Sequence, residues 1–338
     1  MNKPKIGVVG IPGKWSTEVL ADRLEEQTGF RAVIDMSQVE LRLDTNQLMF
    51  HDLDLMTLDG LIIKKISEVY SPATEDRIHL LSYAERSGVK MFSPTHSVGN
   101  LINRLSGTLA LQQGRIPMPK TRITEDAEQA FATVREFGSA ILKPLYSTKA
   151  RGMMILQQED SDEAVRDALE KYRQNQSIYY IQQTVKLDGR DLGMVFVGGE
   201  YLCTYARVGD KDSWNTTINS GGRYELFEPD AEVIELGRRA QACYDLSFTT
   251  VDIALTDQGS VVFEVSAFGG FKGALEGCGI DAASAYVNYV LHAVGWKVSD
   301  RQESKQQEVE PHDEKHTNSV RRGGRVNPLA RYLTHHSR

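Results

Sequence analysis

The chain has 338 residues, with 39 Lys and Arg against 46 Asp and Glu for a formal charge of −7, and it is 41% apolar and 25% charged, the profile of an ordinary globular protein. That length exceeds what one hydrophobic core usually serves, which predicts two or three domains of roughly 100 to 150 residues. No run approaches the roughly 20 apolar residues of a membrane span, the acidic balance argues against a global attraction to nucleic acid phosphate, and Cys203, Cys243 and Cys278 are too widely spaced for a disulfide framework or a zinc pattern. A cytoplasmic protein with reduced thiols and neither a nucleic acid nor a membrane partner is expected.

The first hundred residues alternate short apolar runs with helical patterns, over 5–11, 16–28, 32–36, 58–66, 70–86 and 90–92. Such alternation predicts a parallel sheet with crossover helices. Ser16 is the expected N-cap of the first helix, Val19, Leu20 and Leu24 its apolar face, and Gly29 its stop. The entry loop over 10–16 has two residues between its glycines where a phosphate loop needs four, so it is better taken as a tight turn lining a cleft. One helix is expected over 98–113, then an exposed connection at Pro117 and Pro119. A second unit follows, with a helix capped by Thr124 and stopped by Gly138, strands over 140–145 and 153–156 joined by a loop of small and basic residues, and a helix opened by Ser161. From 178 onward the pattern is mainly strand, over 178–185, 191–197 and 201–207, the last two linked by the hairpin signal Gly198-Gly199. Then come a helix from Pro229 to about Tyr244, strands over 250–255 and 260–266, a glycine-rich stretch and a helix over 282–293. Beyond Ser299 apolar periodicity ends, and the last third carries arginines without an acid, which predicts a disordered basic tail.

The hairpin over 251–266 is the most informative segment. Val251, Ile253 and Leu255 alternate on its first strand and Val261, Phe263 and Val265 on its second, so period two sends both sets to one core face. The opposite face then gathers Asp252, Glu264 and Ser266, and a three-residue loop ending in Gly259 would set Asp252 across from Glu264. Two carboxylates about 5 Å apart repel one another unless something cationic bridges them. Oxygen-only ligands suggest Mg²⁺ or Mn²⁺, and the plain alternative is a solvated face on which two acids meet. A metal with few protein ligands usually also holds substrate phosphates, for which cations are present. Lys143 sits mid-strand among apolar residues and should have an anion. Lys149 and Arg151 lie in the following loop, whose amides could cover phosphates, Arg207 ends a strand, and Arg104 follows Asn103 on the preceding helix.

The ordered set of motifs resembles the ATP-grasp superfamily, most closely the RimK-like ligases, over about 90–295. It runs through Asn103-Arg104, Pro117-Met118-Pro119-Lys120-Thr121, Ile141-Leu142-Lys143-Pro144-Leu145, Ile181-Gln182-Gln183, Asp188-Gly189-Arg190-Asp191-Leu192, Arg207, Gly221-Gly222, Val251-Asp252-Ile253 and Phe263-Glu264-Val265-Ser266. Trp214-Asn215-Thr216-Thr217 together with the run over 264–271 looks like the GAK-system ATP-grasp proteins. The resemblance implies an N-terminal parallel α/β pre-ATP-grasp domain (1–97) and a two-lobed ATP-grasp fold with a central lobe (98–180) and a C-terminal catalytic lobe (181–298), followed by the tail (299–338). It implies ATP between the lobes, with Lys143 near its α/β phosphates, the loop over 147–152 with Thr148, Lys149 and Arg151 as a lid, Gln183 and Thr184 at the adenine hinge, Asp191 near the ribose, and Arg104, Asn215 and Thr217 as further nucleotide contacts. Magnesium would sit on Asp252, Glu264 and Ser266, and Arg207 would stabilise charge developing as a substrate carboxylate attacks the γ-phosphate.

Departures from the family pattern are Ser266 in place of a metal-binding Asn, Arg104 in place of a Lys, Gln183 in place of the hinge acid, and Asn215-Thr216-Thr217 in place of Arg-x-Asn. The implied activity is Mg-dependent ligation of a carboxylate to an amine or similar nucleophile, small molecule or peptide, through an acyl phosphate. An ATP-binding regulatory module or an ATP-grasp kinase acting with a partner protein is the alternative. A homo-oligomer and a protein partner recruited by the tail are further expectations. For the acceptor, the N-terminal unit offers Lys64, Lys65, Tyr70 and His96 near strand ends.

Overall fold

The computed structural model describes residues 3–147, 150–209 and 222–296, so Thr148, Lys149, Asn215, Thr217 and the whole basic tail lie outside the described residues. The chain opens with β1 (Ile6–Val9), α1 (Trp15–Thr28) and β2 (Val33–Ile34), continues through an antiparallel meander of β3 (Val39–Arg42), β4 (Gln47–Phe50) and β5 (Leu53–Asp54), and completes its first unit with β6 (Gly60–Ile63), α2 (Pro72–Arg86) and β7 (Lys90–Phe92). The alternating pattern gives the expected parallel sheet, in the order β2-β1-β6-β7. The meander has no counterpart in the sequence pattern, because its strands are short and mostly half-buried. Ser16 is not the cap of α1. The helix starts after Lys14, and the Gly13 amide instead donates to the Glu18 carboxylate at 2.5 Å, an acid reaching back over the first turn.

The single helix expected over 98–113 is two, α3 (Thr95–Ile102) and α4 (Arg104–Gln113). Asn103 stands between them in an extended conformation, its side chain accepting from the Leu105 amide, so a strong N-cap residue turns the chain inside a continuous apolar pattern. The turn delivers Arg104 to the Leu145 carbonyl, which accepts from the Arg104 amide at 2.9 Å. Next come β8 (Thr121–Thr124), α5 (Ala127–Phe137), β9 (Ala140–Leu142), β10 (Met154–Leu156), α6 (Asp162–Arg173) and β11 (Tyr179–Gln183). They form an antiparallel sheet in the order β10-β9-β11-β8 with a core of its own, including Val134, Leu142, Leu169 and Ile181. Asp126, rather than Thr124, caps α5 through the Gln129 amide; the Thr124 hydroxyl accepts from Asp126 one step earlier.

The remaining elements are β12 (Arg190–Val197), β13 (Glu200–Val208), β14 (Arg223–Leu226), α7 (Ala231–Ala242), β15 (Phe248–Thr256), β16 (Gly259–Ser266), α8 (Lys272–Cys278) and α9 (Ala282–Ala293). The strands make one antiparallel sheet, β14-β13-β12-β15-β16, which shares two apolar clusters with the N-terminal sheet: Val9, Leu61, Met194 and Val251 in one, Ile6, Leu20, Val195 and Phe248 in the other. The boundary drawn at 180/181 falls inside β11, and the change of sheet comes after Gln183. Where the sequence shows only a glycine-rich stretch, α8 packs closely on β13: a Cβ at Gly273 would run into the Tyr205 ring, and one at Gly277 would come within 2.9 Å of its Cβ. No helix among the described residues is long and apolar enough to cross a membrane.

Candidate active site

Asp252 and Glu264 do stand opposite each other, but by a different device from the expected loop. Only Asp257 and Gln258 separate β15 from β16, so pairing begins at Thr256 with Gly259, and continued unbroken it would set Asp252 against Phe263. A register shift between Asp252 and Ile253 makes Phe263 an extra residue and brings Glu264 opposite instead. Val251, Ile253 and Val265 are buried as expected, but the alternation fails on the turn side of the bulge. Val262 is fully buried where Val261 and Phe263 were expected, and Leu255 is exposed.

Register across the sheet then assembles the rest of this face. Arg207 lies opposite Asp191, and Gly193 lies between Tyr205 and Asp252. The Arg207 Nε donates to both Asp191 oxygens at 3.1 and 3.2 Å, and Nη2 donates to Asp191 while also standing 3.0 Å from Asp252. Burial works against the Arg207 charge, but Asp252 and Asp191 together hold its pKa well above the ordinary value. Burial, opposed by Arg207 and reinforced by Asp191 and Glu264, pushes Asp252 up to about 6. Asp191, which the resemblance implies lies near a ribose, is the buried counter-charge that orients Arg207. Gly193 is required here, because a Cβ would fall on the Tyr205 ring.

Glu264 is half exposed and faces Arg104, whose Nη1 lies 3.6 Å away while its Nε donates to the Pro144 carbonyl at 3.2 Å. Arg104 thus links the central sheet to the acid pair. Just beyond β9, the buried Lys143 ammonium donates to Gln182 Oε1 at 2.5 Å, with the ring of the bulged Phe263 5.7 Å away. The anion expected beside Lys143 is not its hydrogen-bond partner; that partner is a neutral amide. Burial first, then Arg104, pushes Lys143 down to about 7, with Glu264 pulling the other way.

The other candidates are placed as follows. The Gln183 amide donates to Lys120 O and its side chain to Phe137 O, while the Thr184 amide and hydroxyl both donate to Ser139 O, so both residues are fastened to the central sheet where the chain leaves it. Arg151 reaches the Glu68 carbonyl at 3.4 Å. Ser266 lies on the acidic face beyond Glu264, opposite Thr250, with its hydroxyl accepting from the Phe268 amide at 3.2 Å. Sequence reasoning missed Gln182 as the partner of Lys143, although a polar residue inside the apolar run Tyr179–Gln183 was a usable signal. It also missed the role of Lys64, whose buried ammonium donates to the Gly269 carbonyl between the rings of Phe271 and Phe248, 4.1 and 5.4 Å away.

Two antiparallel sheets, with a buried lysine on one and paired acids on the other, define the architecture as that of an ATP-grasp protein. The chain belongs to the RimK-like ATP-grasp domain family, whose model matches residues 103–290, more than half of its length. It is similar to the tetrahydromethanopterin:alpha-L-glutamate ligase of Methanosarcina acetivorans, with 23% identity over 85% of this chain and 98% of that protein. Among solved structures it resembles the ATP-grasp ligase PsnB complexed with a phosphomimetic variant of a minimal precursor, Mg and ADP, at a TM-score of 0.69 and 17% identity, covering 87% of this chain and 100% of that one. It also resembles the RimK domain ATP-grasp protein of Sphaerobacter thermophilus, at a TM-score of 0.66 and 18% identity over 84% and 98% of the two chains.

Proposed function

We propose that the protein is an ATP-dependent ligase that joins a carboxylate to an amine with Mg²⁺. The observation that carries this reading is the in-register pair Asp252 and Glu264, closed by Arg207 at one end and Arg104 at the other. The pair fits a divalent cation: burial and its acidic neighbours penalise the charge on Asp252, and a cation shared with Glu264 relieves that penalty with oxygen ligands of the kind Mg²⁺ takes. Ser266 offers only a neutral hydroxyl, a weaker third donor. When bound, such a cation neutralises charge on the ATP phosphates.

The chain's own residues supply the rest. Arg207, kept charged and oriented by Asp191, presents donors where negative charge grows during transfer. Lys143 and Arg104 receive phosphate oxygens, with Arg151 and, by sequence, Thr148, Lys149, Asn215 and Thr217 as further candidates; Gln183 and Thr184 mark the hinge. A substrate carboxylate oxygen attacks the γ-phosphorus as ADP leaves, and an amine then displaces phosphate from the acyl carbon to give an amide. The name of the Methanosarcina relative makes L-glutamate the first amine to test, and the PsnB complexes make a peptide the second candidate substrate class. The deciding experiment is a screen of carboxylates with L-glutamate for Mg²⁺-dependent turnover. Ligation releases ADP and phosphate together, a kinase releases ADP and a phosphorylated product, and a regulatory module releases little of either; the last two outcomes overturn this reading.

A further inference from the structure

Tyr205 is buried at the centre of the acidic face. Period two puts its side chain on the same side of β13 as Arg207, and register puts it in one row with Gly193 on β12 and Asp252 on β15. Gly193 has no side chain to fill its place in that row, so the Tyr205 ring leans across β12: a Cβ at Gly193 would lie 2.6 Å from the Tyr205 hydroxyl oxygen. The hydroxyl therefore stands over the middle strand of the row, one strand spacing of about 4.8 Å from the backbone of Asp252.

Helix α8 closes over the ring from the other side. Gly273 meets the ring around Cζ and Gly277 meets the Tyr205 Cβ, while Tyr224, opposite Arg207 on β14, meets the ring edge-on at 5.2 Å. Only 5% of the residue is exposed. The oxygen is treated differently from the ring. Among the described residues the hydroxyl makes no hydrogen bond, yet it is not sealed from solvent as the unpartnered hydroxyls of Tyr172 and Thr249 are. A phenylalanine would fill the same socket, so packing does not account for the hydroxyl; a donor held still and left unpaired is available to a ligand.

Position gives this donor its chemistry. Arg207 commits Nε and Nη2 to Asp191 and Asp252, which leaves one nitrogen of its fork without a partner among the described residues. A further cation in the place of Tyr205 would pair with Asp252 and compete with a divalent ion for it, whereas a neutral hydroxyl donates to a phosphoryl oxygen without doing so. Burial, opposed by Arg207 and reinforced by Asp252, raises the phenol above its ordinary pKa, so it stays a donor throughout the neutral range. We propose that Tyr205 is a further residue of the transfer site, its hydroxyl donating to an oxygen of the transferring γ-phosphoryl group beside Arg207. The hydroxyl keeps its proton throughout. This role rests on the phosphoryl-transfer step of the ligase reading.

The test is equilibrium binding of Mg²⁺·ADP to the full chain, with and without aluminium fluoride as a mimic of the phosphoryl group in flight, so that no acceptor is needed. Aluminium fluoride should tighten Mg²⁺·ADP binding to the wild type. Tyr205→Phe should lose about five- to tenfold of that tightening, while binding Mg²⁺·ADP alone with wild-type affinity and melting within about 2 °C of the wild type. Tyr205→Leu, which also empties the socket, should lower the melting temperature, so that packing and donation are told apart. Undiminished tightening in Tyr205→Phe, or an equal loss of affinity for Mg²⁺·ADP alone, overturns the role of Tyr205 and leaves the ligase reading standing. No tightening in the wild type overturns phosphoryl transfer at this site and both readings with it.

Discussion

Two buried lysines present nearly the same chemistry in two regions of the molecule. Lys143 and Lys64 each donate to a neutral carbonyl oxygen, and burial pushes each from 10.5 down to about 7. Their second neighbours differ. Lys64 is enclosed by the Phe248 and Phe271 rings, and Lys65 depresses it further, so it acts as a link between β6 and the glycine stretch after β16. Lys143 faces Arg104 and Glu264, beside the paired acids. A depressed lysine is therefore not itself a mark of a catalytic site. What decides is whether an anion can reach the ammonium and restore its proton.

The largest effect that sharpens this contrast is expected at the acid pair. Glu264→Gln removes a proposed metal ligand and no core contact, since the side chain is half exposed. ATP turnover should fall by about 100-fold or more while the melting temperature stays within about 2 °C; steady-state kinetics with wild-type turnover would remove the site assignment. Next in size, Lys143→Ala should weaken ATP binding by about 1 to 3 kcal/mol, the range for a charge-assisted hydrogen bond. Lys64→Met should leave ATP affinity unchanged. Calorimetric titration of both variants breaks the comparison if Lys64→Met loses as much as Lys143→Ala.

Part of this site was legible because strand alternation is a local property. Period two alone puts Asp252 and Glu264 on one face, Arg207 shows in the pattern only as a basic residue ending a strand, with its role implied by the family resemblance, and alternating patterns give the parallel N-terminal sheet. What escaped depends on long-range packing. The bulge at Phe263 has no local sequence mark, because both registers leave apolar residues on both faces of β16. The pairing of Asp191 with Arg207 needs two strands laid side by side, and the close approach of α8 shows only as glycines whose neighbour, Tyr205, is about 70 residues away. Asn103 was visible as a cap former, but the apolar pattern running past it outweighed a single residue.

The pH dependence tests the two lysines together, with a smaller effect. A lysine at about 7 in the folded state and 10.5 when unfolded makes the unfolded chain bind more protons between those values, so stability should rise with pH by up to about 1.4 kcal/mol per unit for each lysine. Urea unfolding between pH 7 and 8.5 should show that slope reduced in Lys64→Met. ATP binding should run the opposite way: if phosphate binds the charged Lys143, affinity should fall about fivefold from pH 7 to pH 8, following the protonated fraction. Lys64→Met should retain that fall, and Lys143→Met should lose it.

The smallest effect concerns the acceptor that holds Lys143. Gln182 Nε2 donates to the Thr121 hydroxyl at 3.0 Å, which turns its carbonyl oxygen toward the ammonium; the acceptor of Lys64 is a backbone carbonyl and cannot be substituted. Gln182→Met takes away one hydrogen bond to the charged form, so Lys143 should titrate lower still and ATP affinity at pH 7 should drop, by less than in Lys143→Ala. Gln182→Glu places a carboxylate at the same atom and raises the Lys143 pKa, so the loss of ATP affinity from pH 7 to pH 8 should disappear. If Gln182→Glu keeps the wild-type fall, the proton that governs nucleotide binding is not on Lys143, and the contrast with Lys64 no longer stands.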